Sequence, residues 1–163
     1  YVLGAMRLAA ERGAVTVAVT CNAGSAMNAE ADISIAVEPG PEVITGSTRM
    51  KSGTAQKMVL NMISTGAMIR LGKVYGNLMV DVKPSNKKLV RRAVSIVCDA
   101  AGVGEDEARA ALESCEYSAK TAIVMLLCSL NAPQAAALLE QAGGRVAQAL
   151  NLHKEESCHG QKA

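Results

Sequence analysis

Acidic, basic and hydroxyl side chains concentrate between residues 40 and 57, in the stretch GPEVITGSTRMKSGTAQK. This stretch, called the 40–57 segment below, contains one acid, three cations and three glycines among its Ser and Thr residues. Hydroxyl groups hydrogen-bond to sugar hydroxyls or phosphate oxygens, and an acid can take or give a proton. Glycines let a ligand approach the backbone closely. Such a mixture is costly to bury and unnecessary for folding, so the segment is the candidate site.

The cations of the 40–57 segment create an electrostatic conflict. Arg49, Lys51 and Lys57 lie near the predicted start of a helix, where the macrodipole disfavours cations by about 0.3–1 kcal/mol. An anionic ligand or an acidic partner removes that conflict. Two simpler interpretations stay open at this point. In the first, Ser47 or Ser52 serves only as a helix cap and the cations are simply solvated. In the second, Glu42 is only an exposed acid of the loop.

The elements before the 40–57 segment predict a parallel α/β sheet. Helical spacing over residues 2–12 ends at Gly13, and the β-branched run AVTVAVT of residues 14–20 is apolar on both faces, as in a fully buried strand. Residues 21–25, CNAGS, lead into a short helix and a second strand over 31–37. Ligands of such sheets bind in the loops that follow strands. The CNAGS loop either lines the same crevice as the 40–57 segment or is a plain turn.

The second half of the sequence is predominantly helical. A helix buried on most of its faces is predicted over 52–71 from its apolar residues, which are Val59, Leu60, Met62, Ile63, Ala67, Met68 and Ile69. A short extended piece follows at 78–82, and Pro84 with Ser85 then predicts the start of a new helix. The apolar run 121–130 is expected at the centre of a small helical bundle whose last helix ends near Leu150. We therefore expect an α/β domain over 1–83, a helical domain over 84–150 and a disordered tail over 151–163.

Composition excludes several classes of function. The chain of 163 residues has only 2% aromatic residues and a net charge of +2, which argues against nucleic-acid binding by base stacking and against a charged membrane surface. No apolar run is long enough for a membrane span. The cysteines lack metal-ligand spacing, so reduced thiols in the cytoplasm, no metal and no cofactor are predicted. The start at Tyr1, inside an amphipathic pattern, predicts a fragment. The cysteines are Cys21, Cys98, Cys115, Cys128 and Cys158.

The 40–57 segment resembles the signature shared by bacterial N-acetylmuramic acid 6-phosphate etherases and the glucokinase regulatory protein, both built on the sugar isomerase (SIS) domain. The stretches CNAGSAMNAEAD at 21–32 and NLMVDVKPSNKKL at 77–89 resemble the etherases as well. The resemblance covers residues 1–150. It implies the C-terminal half of a SIS-type parallel α/β sandwich, followed by a small helical domain of UBA-like type.

The etherase is the favoured relative, because the regulatory protein is much larger, with two SIS domains and a lid. The resemblance implies a lyase that cleaves the lactyl ether of N-acetylmuramic acid 6-phosphate to N-acetylglucosamine 6-phosphate and D-lactate during cell-wall recycling. The alternative is a non-catalytic sugar-phosphate sensor that regulates a protein partner. The two hypotheses differ in whether the bound sugar phosphate is turned over.

The resemblance also assigns residues. It places the family's catalytic glutamates and its phosphate loop upstream of Tyr1, so this chain alone is expected to be inactive. Glu42 is the remaining candidate for catalysis, and a homodimer with a phosphosugar substrate is implied. The positions carried over as substrate-contacting are Glu42, Ser47, Thr48, Lys51 and Ser52.

Overall fold

The computed structural model describes residues 1–160 of the chain. The first elements are α1 (Val2–Glu11), β1 (Val17–Thr20), α2 (Ala26–Glu30), β2 (Ile33–Ala36) and α3 (Lys51–Arg70). β1 and β2 pair in parallel, with Val17 opposite Ile33 and Thr20 opposite Ala36. The predicted mixed α/β architecture and the predicted parallel pairing are confirmed.

The chain forms two compact units, one over Tyr1–Thr65 and one that begins at Gly66. This division falls inside α3, whereas the domain boundary predicted from the sequence lies after residue 83. The assignment of residues 1–83 and 84–150 to two domains stays a prediction.

A polar clamp fixes the register of the two parallel strands at their amino ends. One carboxylate oxygen of Asp32 accepts hydrogen bonds from the backbone N–H and the hydroxyl of Thr16, at 2.7 and 2.8 Å. The backbone N–H of Asp32 donates in return to the Thr16 hydroxyl oxygen. Because Thr16 is buried, both of its polar groups need such partners. The clamp therefore sets which residues of β1 and β2 face each other.

The prediction that α3 is buried on most of its faces is wrong, and the prediction of a fully buried β1 holds only in part, because Ala18 and Thr20 are buried and Val17 is not. Val17 of β1 is 47% exposed, and Ser52 is the one buried residue of α3. The reason is dimensional, since a helix of 20 residues is about 30 Å long while a four-residue strand spans about 13 Å. A sheet of two such strands has too little surface to cover α3. Its apolar side chains consequently remain on the surface of the described chain.

As far as residue 160, the second unit contains a hairpin and five helices beyond the end of α3. β3 (Val74–Tyr75) and β4 (Leu78–Met79) pair antiparallel across a two-residue loop whose first residue, Gly76, has φ of 58°. The sequence predicts only a short extended piece here, at 78–82. The helices are α4 (Lys87–Ala101), α5 (Glu105–Ser114), α6 (Ala119–Cys128), α7 (Ala132–Gln141) and α8 (Val146–Gly160).

The apolar core of the second unit is centred on α6, which contacts α4, α5, α7 and α8. This confirms the prediction for the apolar run 121–130, although the helix begins two residues earlier, with Ser118 as its cap. The cap of α4 is Asn86, which accepts from the Leu89 N–H, and not the predicted Ser85. The largest fully buried side chains are Leu112, Ile123, Val80, Val97, Val124 and Val146.

The last helix is longer than the sequence analysis anticipated. α8 continues to Gly160, so residues 151–160 are helical where a disordered tail was predicted, and that prediction is wrong for this range. The predicted tail residues 161–163 lie outside the described residues. Polar residues such as Lys154 and Glu155 are good helix formers, which explains how the helix continues without an apolar stripe.

We expect Gly72→Ala to destabilise the second unit more than Gly102→Ala does. Both glycines have left-handed backbones, with φ of 71° and 70°, so each alanine costs about 1–2 kcal/mol in backbone strain. A methyl group at Gly72 additionally meets Cγ of Arg145 at 2.6 Å, whereas nothing lies within 4 Å at Gly102. Overpacking adds roughly 1–3 kcal/mol. Urea unfolding of both variants measures the difference, and equal losses of stability contradict it.

No single helix within residues 1–160 is both long and apolar enough to cross a membrane. Only the pair α6 and α7, bent by 105°, passes that test of length and composition together.

Candidate functional site

Glu42 holds the amino end of α3. Its two carboxylate oxygens accept hydrogen bonds from the backbone N–H groups of Lys51 and Ser52, each at 3.1 Å. The third helical residue, Gly53, donates its N–H to the carbonyl oxygen of Thr48 at 3.0 Å. The N–H groups that a helix start leaves without intrahelical partners are therefore satisfied from within the segment.

This arrangement answers the electrostatic question raised by the cations. The negative charge at the start of α3 comes from Glu42 itself, which is favourable because a helix amino end carries a partial positive charge. The ammonium group of Lys51 in turn donates to the carbonyl oxygen of Pro41 at 2.9 Å. A ligand anion at this helix start has to compete with Glu42 for the N–H groups of Lys51 and Ser52.

The hydrogen bonds to Glu42 lower the pKa of its carboxyl group below the ordinary value of 4.5. The Ser52 N–H is the largest cause, followed by the Lys51 N–H, while partial desolvation acts in the opposite direction. Hydrogen bonds donated to a carboxylate favour its charged form, so Glu42 is ionised at neutral pH. A carboxylate with a lowered pKa is a weaker base than one with an ordinary pKa.

The sign of this shift predicts how the helix start responds to acid. Since the folded-state pKa is lowered, the capping contribution of Glu42 is fully present above about pH 4.5 and is lost as the pH falls through the folded-state value. We expect the amide proton shifts of Lys51 and Ser52 to titrate by NMR with a midpoint below 4.5. A Glu42→Gln variant should remove this titration. A midpoint at or above 4.5 contradicts the prediction.

The loop of residues 21–25 is held by a second set of hydrogen bonds. The side-chain amide of Asn28 donates to the carbonyl oxygens of Asn22 and Ala23, at 2.9 and 3.1 Å. The side-chain oxygen of Asn28 accepts a hydrogen bond from the hydroxyl of Thr20, which is a buried residue at the carboxyl end of β1. The thiol of Cys21 contacts the carbonyl oxygen of Ser52 at 3.7 Å, which links the loop to α3.

A cavity of about 470 Å³ lies between this loop and the first turns of α3. That volume is within the range of small-molecule sites. We call it the uncharged cavity, because all nine residues that line it are uncharged. Thr48 and Ser52 of the predicted site line it, together with Asn22, Ser25 and Gln56. Of the two interpretations of the CNAGS loop, the structure therefore supports the one in which it shares a crevice with the 40–57 segment.

The structure brings together only some of the predicted site residues. Glu42 and Lys51 fix the start of α3 but are outside the lining of the uncharged cavity, and so is Ser47, whose N–H donates to the carbonyl oxygen of Ile44. Asn22 and Gln56 line the cavity and were not among the residues predicted from the sequence. The signal for Gln56 was its position one helical turn after Ser52, which places both on the same face of α3.

The described residues contain no group of three metal-ligating side chains of the His, Cys, Asp or Glu type. All five cysteines are free thiols. Burial raises the pKa of the Cys115 thiol, so this group is protonated at neutral pH. Cys115 is outside the lining of the uncharged cavity described above.

The chain is 57% identical over 150 residues to an N-acetylmuramic acid 6-phosphate etherase of Clostridium beijerinckii. It is 53% identical over 150 residues to the protein of that name in Bacillus subtilis and 52% identical over 156 residues to that of Erwinia tasmaniensis. The predicted resemblance is confirmed. These alignments cover 92–96% of this chain and 49–51% of the relatives, so the chain spans about half the length of the curated relatives it matches.

A family model described as the C-terminal lid domain of glucokinase regulatory protein matches residues 76–121. The matched range runs from the hairpin loop to the first turn of α6. The lid of the regulatory protein was one of the features that distinguished it from the etherase. Because part of this chain matches that lid domain, the lid no longer separates the two families. The preference for the etherase therefore depends on the similar proteins that are named as etherases.

Proposed function

We propose that this chain is part of an N-acetylmuramic acid 6-phosphate etherase, a lyase of amino-sugar catabolism and peptidoglycan recycling. The observation that carries the proposal is identity of 52–57% to proteins of that name over nearly the whole chain. The uncharged cavity supports it, because its amide and hydroxyl groups suit a sugar. The activity is that of the full-length protein, and the products are N-acetylglucosamine 6-phosphate and D-lactate.

The proposed reaction is an elimination followed by addition of water. A base removes the C2 proton of the open-chain sugar, lactate leaves from C3, and water adds to the resulting unsaturated aldehyde. Positioned acid and base groups typically contribute about 10² to 10⁴-fold each to such proton transfers. The chemistry therefore depends on groups held in fixed positions around C2 and C3.

Within this chain we assign substrate contact to Glu42, Ser47, Thr48, Lys51 and Ser52. Thr48 and Ser52 line the uncharged cavity, which supports their part of the assignment. The catalytic role of Glu42 stays a prediction. To act as a base, Glu42 has to exchange the two N–H donors of α3 for the substrate, and in doing so it recovers an ordinary pKa.

A homodimer with SIS-type and UBA-like domains, in the cytoplasm, completes the proposal. The surface of α3 supports the dimer, since four of its apolar side chains in the first unit are 46–64% exposed. These residues are Met58, Leu60, Met62 and Ile63. Light scattering of the full-length protein at micromolar concentration tests the dimer, and a monomer mass argues against it.

A sugar-phosphate sensor that regulates a protein partner is the second candidate. The match of residues 76–121 to the lid domain of glucokinase regulatory protein favours it. A sensor binds the phosphosugar without converting it. Titration calorimetry combined with product analysis separates the two, because an etherase also releases D-lactate.

A further inference from the structure

The side chains that line the uncharged cavity suit the uncharged groups of a sugar phosphate better than its phosphate. The residues that line it include two with amide side chains, Asn22 and Gln56, two with hydroxyl side chains, Thr48 and Ser52, and the apolar Met27. A phosphate dianion placed among uncharged groups lacks a cation to offset its desolvation. The ammonium of Lys51 is outside the lining and is bonded to the carbonyl oxygen of Pro41.

We infer that the uncharged cavity takes the N-acyl group of the sugar, and that Asn22 and Gln56 supply the N–H donors for its carbonyl oxygen. This inference rests on the proposed function and assigns residues to one feature of that substrate. An acyl group consists of a carbonyl acceptor and an apolar methyl group. The lining provides both amide donors and apolar surface, the latter from Val19 and Met27.

The side chain of Asn22 has a hydrogen-bond donor group that is not used within the described residues. Its side-chain oxygen accepts the N–H of Gly24 at 2.9 Å, and its backbone carbonyl oxygen accepts from the side-chain amide of Asn28. Within residues 1–160 its side-chain NH₂ group makes no hydrogen bond, and the same holds for the side-chain amide of Gln56. Each group is therefore available to donate to a ligand oxygen.

The position of Asn22 is fixed before any ligand arrives. Asn28 donates to the carbonyl oxygens of Asn22 and Ala23, and Asn28 is itself bonded to the buried Thr20. Asn28 is thus a positioning residue for the loop. A donor held in place loses less conformational entropy on binding than a mobile one, which favours selective recognition.

The test compares two ligands that carry the same phosphate and differ at C2. The affinities of the full-length protein for N-acetylglucosamine 6-phosphate and for glucose 6-phosphate are measured by titration calorimetry. The variants are Asn22→Asp, which keeps the acceptor for Gly24 but removes the NH₂ donor, and Gln56→Leu. Because both ligands carry one phosphate, the charge introduced by Asn22→Asp affects both affinities and largely cancels in their ratio.

We expect the wild type to prefer the N-acyl ligand, and each variant to reduce the ratio of affinities by roughly threefold to tenfold, the effect of one neutral hydrogen bond. Asn61→Ala, an exposed residue of α3 away from the cavity lining, should leave the ratio unchanged. A wild type without preference, or variants that retain the wild-type preference, overturns the inference. Phosphosugar binding in that case leaves the proposed function standing, because the etherase activity is tested separately by D-lactate release. Failure to bind either ligand overturns both.

Discussion

Replacing Glu42 by Gln in the full-length protein should lower kcat/KM for ether cleavage by about 10²-fold or more, in the range that positioned acid and base groups contribute. Gln has nearly the shape of Glu, but it turns an NH₂ group towards one of the two N–H donors of Lys51 and Ser52. It also removes the negative charge from the start of α3. Any proton transfer by the carboxylate is lost as well.

Glu38→Gln provides a matched control for this substitution. Glu38 is a carboxylate of the same unit, and its contact with the Ala23 N–H is long, at 3.4 Å. We expect kcat/KM of this control to stay within about threefold of the wild type, because exposed long contacts contribute little. Steady-state assays of D-lactate release measure both variants. A Glu42→Gln enzyme as active as the control contradicts both roles assigned to Glu42.

Ile123→Ala should reduce the free energy of unfolding of the second unit by about 2–5 kcal/mol, the usual loss for a large apolar side chain in a core. Ile123 is fully buried on α6, the helix that the other helices of this core contact. Its truncation leaves a cavity that surrounding helices fill only partly. Domains are stable by only about 5–15 kcal/mol, so the loss is a large fraction of the total.

Leu127→Ala is the matched control on the same helix. Leu127 is 41% exposed, so its truncation removes less buried surface and should cost less than about 1 kcal/mol. Urea unfolding followed by far-UV circular dichroism measures both variants. Equal losses at the two positions contradict the placement of α6 at the centre of the core.

Local patterns in the sequence were sufficient to predict most elements. The β-branched run before Cys21 and the short strand before Val37 predicted β1 and β2, and their parallel pairing follows from the helix between them. The start of α3 was predicted within one residue. These features depend on neighbours in the sequence, which a periodicity analysis can detect.

Features that depend on distant partners were missed. Glu42 caps a helix that starts nine residues later, whereas sequence rules for caps concern residues within one turn. The exposure of α3 depends on the size of the sheet beside it, and the pattern of apolar residues along a helix carries no information about the size of a neighbouring sheet. The hairpin of β3 and β4 has two residues per strand, too few for an alternation to be visible.

The candidate site was predicted in part for the same reason. Thr48 and Ser52 were identified because they belong to one dense polar segment, whereas Asn22 belongs to a loop that the chain brings near only after folding. Asn28, which fixes that loop, lies on α2 and carries no sequence signal of its own. A contact from Cys21 to Ser52 joins the two parts of the site.

The central claim is that this chain belongs to a protein that cleaves the lactyl ether of N-acetylmuramic acid 6-phosphate. Its most direct test incubates the full-length protein with that sugar and quantifies D-lactate and N-acetylglucosamine 6-phosphate. The account predicts that both products appear in equal amounts and that Glu42→Gln suppresses them together. Saturable binding of the sugar with no D-lactate above background contradicts the etherase and leaves the sensor as the function of this protein.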